Sequence, residues 1–229
     1  MSKILIIVPA YNEAESILQV VDELKIKCPE KDYVVINDGS TDATRKLCHN
    51  NHINYLDLPI NVGLAGAIQA GMKYANYFDY DYAVQIDGDG QHMPEYIDQL
   101  VQAMQETGAD IVIGSRYKSE RKPVTMRMIG SQMITYAIWL TTRGKYIGDV
   151  TSGMRLFNKK MIKRFGYQMN YQPEPDTLAY LLNHGIHIEE VQVQMRERMT
   201  GVSYLGALSA AKYMIHIIFN ILILQWFRN

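Results

Sequence analysis

The sequence predicts an α/β fold: a mostly parallel sheet flanked by helices, closed by a C-terminal amphipathic helix. Three observations predict it. Short apolar runs rich in Val and Ile recur up to about residue 115, and helix-period segments alternate with them. Chemistry-bearing residues follow directly after the apolar runs, where parallel sheets open onto ligands. At 229 residues and 26.2 kDa the chain suits one sizeable domain.

The elements follow in order. Ile4–Val8 is apolar on both faces, as a buried parallel strand requires, and it is too short for the core of a signal peptide. Further strands are expected at Tyr33–Asn37, Ile53–Leu56, Tyr82–Ile86 and Asp110–Ile113. Helices are expected at Glu13–Lys27, Asp42–Asn50, Leu64–Ala75 and Pro94–Glu106. Asn12 with Glu15 reads as a capping box for the first helix, and Pro94 suits a first helical position. Beyond residue 115 the alternation breaks. Lys118–Val124 reads as a charged, mobile loop and 126–142 as an amphipathic helix. A turn and strand over Asp149–Phe157, a helix over Glu174–His184 and a strand near Ile186–Gln194 complete a domain spanning 1–203. In the last segment, 204–229, Ser209, Lys212, His216 and Asn220 recur at steps of three and four, a narrow polar stripe on an otherwise apolar helix. That pattern suits a membrane interface, a partner or oligomer contact, or a core helix.

Composition excludes several classes. Lys+Arg is 23 against Asp+Glu 24, a net charge of -1, which argues against a general nucleic-acid binder. Cys28 and Cys48 match no metal spacing and point to a reducing compartment.

Three segments carry chemistry. Asp87-Gly88-Asp89-Gly90-Gln91-His92 follows a strand. Two carboxylates at i, i+2 can share a hard cation such as Mg²⁺ or Mn²⁺ and leave its remaining positions to a diphosphate. The same run also serves as a turn. It is not an EF-hand loop, because the twelfth position is Asp98 and not a glutamate. Asp38-Gly39-Ser40-Thr41-Asp42 places an acid at the second strand's end, suited to a nucleoside, with Ser40 or Thr41 as a helix cap. Asn61–Gly66 opens a helix whose N-terminus favours phosphate, and packing alone accounts for it equally well.

Taken together, Ile7–Glu13, Asn37–Asp42 and Asp87–Asp89 resemble glycosyltransferase family 2 on the GT-A fold, a Rossmann-like arrangement. Gly114–Tyr117, Asp149–Arg155 and the Arg-x-Arg-x-x-Gly-x-Ser run of Arg196–Ser203 resemble its polyprenyl-phosphate sugar transferase branch, over about residues 3–205. The resemblance implies a nucleotide-sugar donor held by Pro9, Tyr11, Glu13, Asp38, Asp87 and Gly88, and Mg²⁺ or Mn²⁺ held by Asp89 and Gln91. It implies a polyprenyl phosphate acceptor held by Arg116, Arg127 and Ser131, with Arg198 near the donor diphosphate. Asp89, Arg116, Arg127 and Arg198 then form the catalytic set. Glu174 and Asp176 lie where relatives with hydroxyl acceptors carry a base, and Asp149 with Arg155 reads as a structural ion pair. The implied setting is the cytoplasmic face of the cell membrane, where a small membrane protein or a homo-oligomer would aid anchorage. The rival readings are transfer to a saccharide hydroxyl and a non-catalytic nucleotide-sugar-binding protein.

Overall fold

The computed structural model describes residues 2–120, 126–168, 174–196 and 207–223. The chain begins β1 (Ile4–Ala10), α1 (Ile17–Lys27), β2 (Asp32–Asn37), α2 (Thr44–Asn50), β3 (Tyr55–Asp57), α3 (Gly63–Tyr77) and β4 (Tyr82–Gln85). A 3-10 turn at Pro94–Tyr96 leads into α4 (Ile97–Thr107), followed by β5 (Ile111–Ser115) and α5 (Met126–Thr141). Next come β6 (Arg155–Asn158), α6 (Lys159–Tyr167), α7 (Pro175–Asn183), β7 (Ile188–Gln192) and α8 (Ala207–Leu222).

The seven strands form one sheet in the order β3-β2-β1-β4-β6-β5-β7. All neighbours are parallel except β6, which runs antiparallel to both β4 and β5. Strands alternate their side chains between the two faces, so each strand feeds two cores. Leu5 and Ile7 join the core beneath α3, α5, α6, α7 and α8, whereas Ile6 and Val8 join the core beneath α1 and α4. From β1 the chain moves outward through β2 and β3, then returns to β1's other side as β4. That reversal is a topological switch point, and the crevice beyond the strand ends there is the natural ligand site.

Two expectations change. Asn12 does not cap α1, which begins at Ile17 with Ser16 before it. Asn12 instead adopts φ 57°, and its Oδ1 accepts from the Thr41 amide at 2.9 Å and the Asp42 amide at 3.3 Å. Thus the turn after β1 clasps the turn after β2. The second change is α6, which was not expected. Its start is encoded locally, because the Asn158 side chain accepts from the Met161 amide at 2.9 Å.

The C-terminal helix is partly core. Ile217 and Ile221 are buried with α5 and α7, and Asn220 turns inward, its Nδ2 3.4 Å from Asp176 Oδ2. His216 of the expected polar stripe is exposed. The side chains of Ser209 and Lys212 lie outside the described residues. Ile215, Phe219, Leu222 and Ile223 face outward on α8, and Ile129, Met133, Tyr136 and Leu140 do so on α5. No helix among the described residues is long and apolar enough to cross a membrane.

Candidate active site

The turns after β1, β2 and β4 build one wall. Asp38 is buried, and its Oδ1 accepts from the Val62 amide at 2.8 Å, which ties the entry of α3 to the end of β2. Gly39, at φ +63°, lies so close to this loop that a Cβ would sit 2.5 Å from the Asn61 nitrogen. Neither Ser40 nor Thr41 caps α2. The Ser40 hydroxyl instead accepts from the Asn12 amide at 3.0 Å, and Asp42 Oδ1 accepts from the Thr44 amide at 2.9 Å. Glu13 is drawn in by its amide, which donates to Thr44 Oγ1 at 2.9 Å. Tyr11 is exposed at the rim and Pro9 is buried in β1.

The carboxylate loop meets this wall through Ser16, which the motif pattern did not single out. Its buried hydroxyl lies 2.7 Å from the Gly88 carbonyl and 2.9 Å from Glu13 Oε2. One hydroxyl proton serves only one of them at a time, so Ser16 couples the two segments. Gly88 packs on Pro9, whose carbonyl oxygen would stand 3.1 Å from a Cβ there.

Within the loop, the Asp87 amide donates to His92 Nδ1 at 3.0 Å, which leaves the neutral ring's proton on Nε2, 3.8 Å from Asp87 Oδ2. Asp87 Oδ1 accepts from Gln85 Nε2 at 3.1 Å. Asp89 is buried, and its Oδ1 accepts from the Gln91 amide at 3.1 Å. Among the described residues no three His, Cys, Asp or Glu side chains converge as a closed metal cage. The oxygen donors the sequence assigns to a cation on this loop are Asp89 and the Gln91 side-chain amide oxygen. They suit a Mg²⁺-type ion that takes one or two carboxylates and completes its shell with phosphate and water.

The loop is bonded to the chain's far end. His92 bridges Met195, and the Arg196 amide donates to the Gln91 carbonyl at 3.0 Å. The Arg196 guanidinium is committed elsewhere, donating to both Glu23 oxygens at 2.7 and 2.8 Å. Arg198 lies outside the described residues.

A second wall stands beyond β5. Arg116 donates through Nε and Nη2 to the two Asp149 oxygens, at 2.7 and 3.0 Å. The expected Asp149–Arg155 pair is therefore replaced by Asp149–Arg116. The pairing with Arg116 holds the Asp149 carboxyl below its ordinary value although burial opposes this. Arg155 lies buried under the same loop, donating to the Ser152 and Val150 carbonyls at 2.9 and 3.1 Å. Burial lowers its pKa to about 10, and the charges of Glu174, Asp149 and Asp87 oppose that shift.

The 149–154 loop is shared by both walls. At one end Asp149 grips Arg116. At the other, Gly153 lies where a Cβ would be 2.7 Å from Asp87 Oδ2 and 3.0 Å from the His92 ring. Ser131 is buried on α5, and the side chain of Arg127 lies outside the described residues. Beside Arg116, Tyr117, Glu120, Gln132, Thr135, Tyr136, Trp139 and Tyr146 line a groove of about 680 Å³ in which Tyr136 stacks on Trp139. Lys118 and Ser119, expected to be mobile, are bonded to β7 through the Glu190 carbonyl and Gln192 Oε1. Residues 121–124 of that loop lie outside the described residues. Glu174 is half-buried, and burial together with the neighbouring Asp176 raises its pKa.

Comparison with known proteins places this geometry. Residues 5–166 match the family model described as Glycosyl transferase family 2. The polyprenol monophosphomannose synthase of Mycolicibacterium smegmatis is 29% identical over 213 residues, covering 87% of this chain and 79% of that protein. The undecaprenyl-phosphate mannosyltransferase of Micrococcus luteus is 30% identical over 213 residues, covering 88% and 86%. A UDP-N-acetylglucosamine–dolichyl-phosphate N-acetylglucosaminyltransferase of Methanococcus voltae is 30% identical over 217 residues, covering 83% and 84%. In fold, the chain matches glucosyl-3-phosphoglycerate synthase from Mycobacterium tuberculosis, solved with Mn²⁺, UDP-glucose and phosphoglyceric acid. The TM-score is 0.65 at 18% identity, over 96% of this chain and 80% of that one.

Proposed function

The chain belongs to glycosyl transferase family 2, is a glycosyltransferase with a GT-A fold, and on that premise we propose that it transfers a hexose, with inversion, to undecaprenyl phosphate. The donor is taken as UDP-glucose or UDP-N-acetylglucosamine, and the product as a lipid-linked sugar for cell-surface polysaccharide. Relatives named for lipid-phosphate acceptors support the acceptor class.

The observation that carries this reading is the shared 149–154 loop. It sets an arginine on one side and a two-carboxylate loop on the other, through Asp149 and Gly153. In the proposed assignment Pro9, Tyr11, Glu13, Asp38, Asp87 and Gly88 bind the nucleotide-sugar, while Arg116, Arg127 and Ser131 bind the acceptor phosphate. Asp89 and Gln91 would hold Mg²⁺ or Mn²⁺, which neutralises charge on the leaving diphosphate when bound. Arg198 would face the same diphosphate.

A phosphate monoester has its second pKa near about 6, so at neutral pH it is already a dianion and needs no base. Held in line by the arginines, one of its oxygens bonds to the anomeric carbon. The bond from that carbon to the diphosphate oxygen breaks, and the nucleoside diphosphate leaves with the electron pair. Gly88 and Glu13, bridged by Ser16, keep the donor side rigid while this happens.

The aromatic groove beside Arg116 and the outward apolar residues of α5 and α8 support a lipid acceptor and a peripheral position on the inner face of the cell membrane. Of the aromatic residues that suit an interface, Tyr204 and Trp226 lie outside the described residues, as does the Tyr213 side chain.

The test is a panel of nucleotide-sugars with undecaprenyl phosphate and Mg²⁺ or Mn²⁺, reading radiolabel in a lipid-soluble, acid-labile product. UDP-glucose or UDP-N-acetylglucosamine should give that product. Label only in water-soluble saccharide would overturn the acceptor, and GDP-mannose as sole donor would overturn the donor.

A further inference from the structure

We propose that Glu190 and Gln192, neighbours on one side of β7, are positioning residues that hold Arg116 ready for the acceptor phosphate. This rests on reading Arg116 as an acceptor-phosphate residue.

Residues at i and i+2 of a strand point to the same side. β7 pairs with β5 so that Glu190 stands opposite Ile113 and Gln192 opposite Ser115, immediately before Arg116. From there the two side chains hold different loops. Glu190 accepts the Gly148 amide at 2.7 Å on Oε2 and the Asp149 amide at 2.9 Å on Oε1. Residue 148 is a glycine in a tight place, since a Cβ would lie 3.1 Å from the Tyr117 carbonyl and 3.4 Å from both Glu190 oxygens. Gln192 donates to the Arg116 carbonyl at 2.9 Å, and its Oε1 accepts from the Ser119 amide at 2.8 Å.

Asp149 passes this constraint on. Its Oδ2 accepts from the Arg116 amide at 3.1 Å and from Nε at 2.7 Å, and its Oδ1 accepts from Nη2 at 3.0 Å. Both backbone polar groups of Arg116 and two of its three guanidinium nitrogens are therefore held. Nη1 has no hydrogen bond among the described residues, and the side chain is 31% exposed. Nη2 also donates to Thr151 Oγ1 at 3.3 Å, so Nη1 is the nitrogen left for a phosphate, as a charge-assisted donor.

Charge supports a positional role over attraction. Two carboxylates lie behind one guanidinium, so Glu190 adds negative charge near a site read as anion-binding. What it supplies is geometry: one acceptor for each of two adjacent amides, leaving Asp149 one orientation. Fixing a binding group before the ligand arrives removes the entropic cost of ordering it.

The test compares Glu190→Gln, Arg116→Ala and the double variant in the full-length enzyme, measuring acceptor KM, donor KM, kcat and Tm. A glutamine offers one acceptor and one donor to two N–H groups, so one amide loses its partner. Glu190→Gln should raise acceptor KM about tenfold, the loss expected for one charge-assisted hydrogen bond. Donor KM should stay within about twofold. In the Arg116→Ala background the same change should add almost nothing, because both variants act through one group. The proposal is overturned if the effect persists in full without Arg116, or if acceptor KM does not move. It is also overturned if both KM values rise together with a fallen Tm, as a purely structural role would give. An unchanged acceptor KM in Arg116→Ala alone would instead overturn the reading of Arg116. Should Glu190→Gln fail to fold, Gln192→Met tests the same hold from the other loop, with the same split between the two KM values expected and the same outcomes overturning it.

Discussion

At the residue scale, the site is a set of carboxylates and guanidinium groups whose partners decide their use. Arg196 opens the Arg-x-Arg-x-x-Gly-x-Ser run, yet its guanidinium is spent on Glu23, 173 positions away. Arg116 is likewise paired, to Asp149 and Thr151, but its Nη1 has no hydrogen bond among the described residues. Glu174 lies near Arg155 and two residues before Asp176; burial and Asp176 raise its pKa whereas Arg155 lowers it. The folded chain therefore holds this proton more tightly than the unfolded chain does. Stability is lost as pH rises from the ordinary glutamate value, about 4.3, through the raised one. Glu174→Gln cannot ionise, so its stability relative to the parent should grow across that window and then level off, read by urea denaturation at several pH values. Its turnover should stay within a few fold at unchanged donor affinity if the phosphate dianion attacks unaided. A loss of several orders of magnitude would overturn that scheme and make Glu174 a base.

At the element scale, close backbone approaches set where helices lie on the sheet. Gly71 of α3 rests on β1, and a Cβ there would meet Ile7 Cγ2 at 2.4 Å. Ile7 is fully buried and branched, so it has little room to give way. Gly71→Ala should therefore destabilise the protein by about 1–3 kcal/mol despite alanine's better helix propensity, read as a lower urea midpoint at unchanged slope. A stabilised variant would show that α3 can shift off β1. α8 obeys the same logic from its other side. Its inward residues Ile217, Asn220 and Ile221 pack on α5 and α7, so its polar stripe is not wholly outward. Cutting the chain before α8 would strip the core as well as any membrane contact.

At the scale of the whole molecule, the exposed apolar residues of α8 are what a membrane-docking test must address. Ile215 and Phe219 are 69% and 48% exposed, so changing both to Asp leaves the core intact. The doubly substituted full-length protein should no longer float with liposomes while keeping its Tm. It should also lose activity on undecaprenyl phosphate in bilayers more than on a detergent-solubilised acceptor. Equal flotation of parent and variant would place the membrane contact elsewhere or nowhere. Charge at this scale is balanced but sorted. Asp38, Asp87 and Asp89 stand at the strand ends, and Arg116 stands across the 149–154 loop from them.

The sequence by itself determined the alternating strands and helices, the five parallel strands β1–β5 and the acidic turns at their ends. These features rest on periodicity and neighbouring residues, which are local. It also carried the glycosyltransferase resemblance, because those motifs are short runs of adjacent residues. Tertiary structure alone decided the rest. It placed β6 antiparallel between β4 and β5, paired Arg116 with Asp149 rather than Arg155 with Asp149, and turned Asn12 toward the next turn instead of α1. It also brought Ser16, Gly153, Glu190 and Gln192 to the site. Each of these depends on which segments meet across the sheet. Contacts between residues 28 to 173 positions apart leave no periodic trace in the chain, since their register is set by packing.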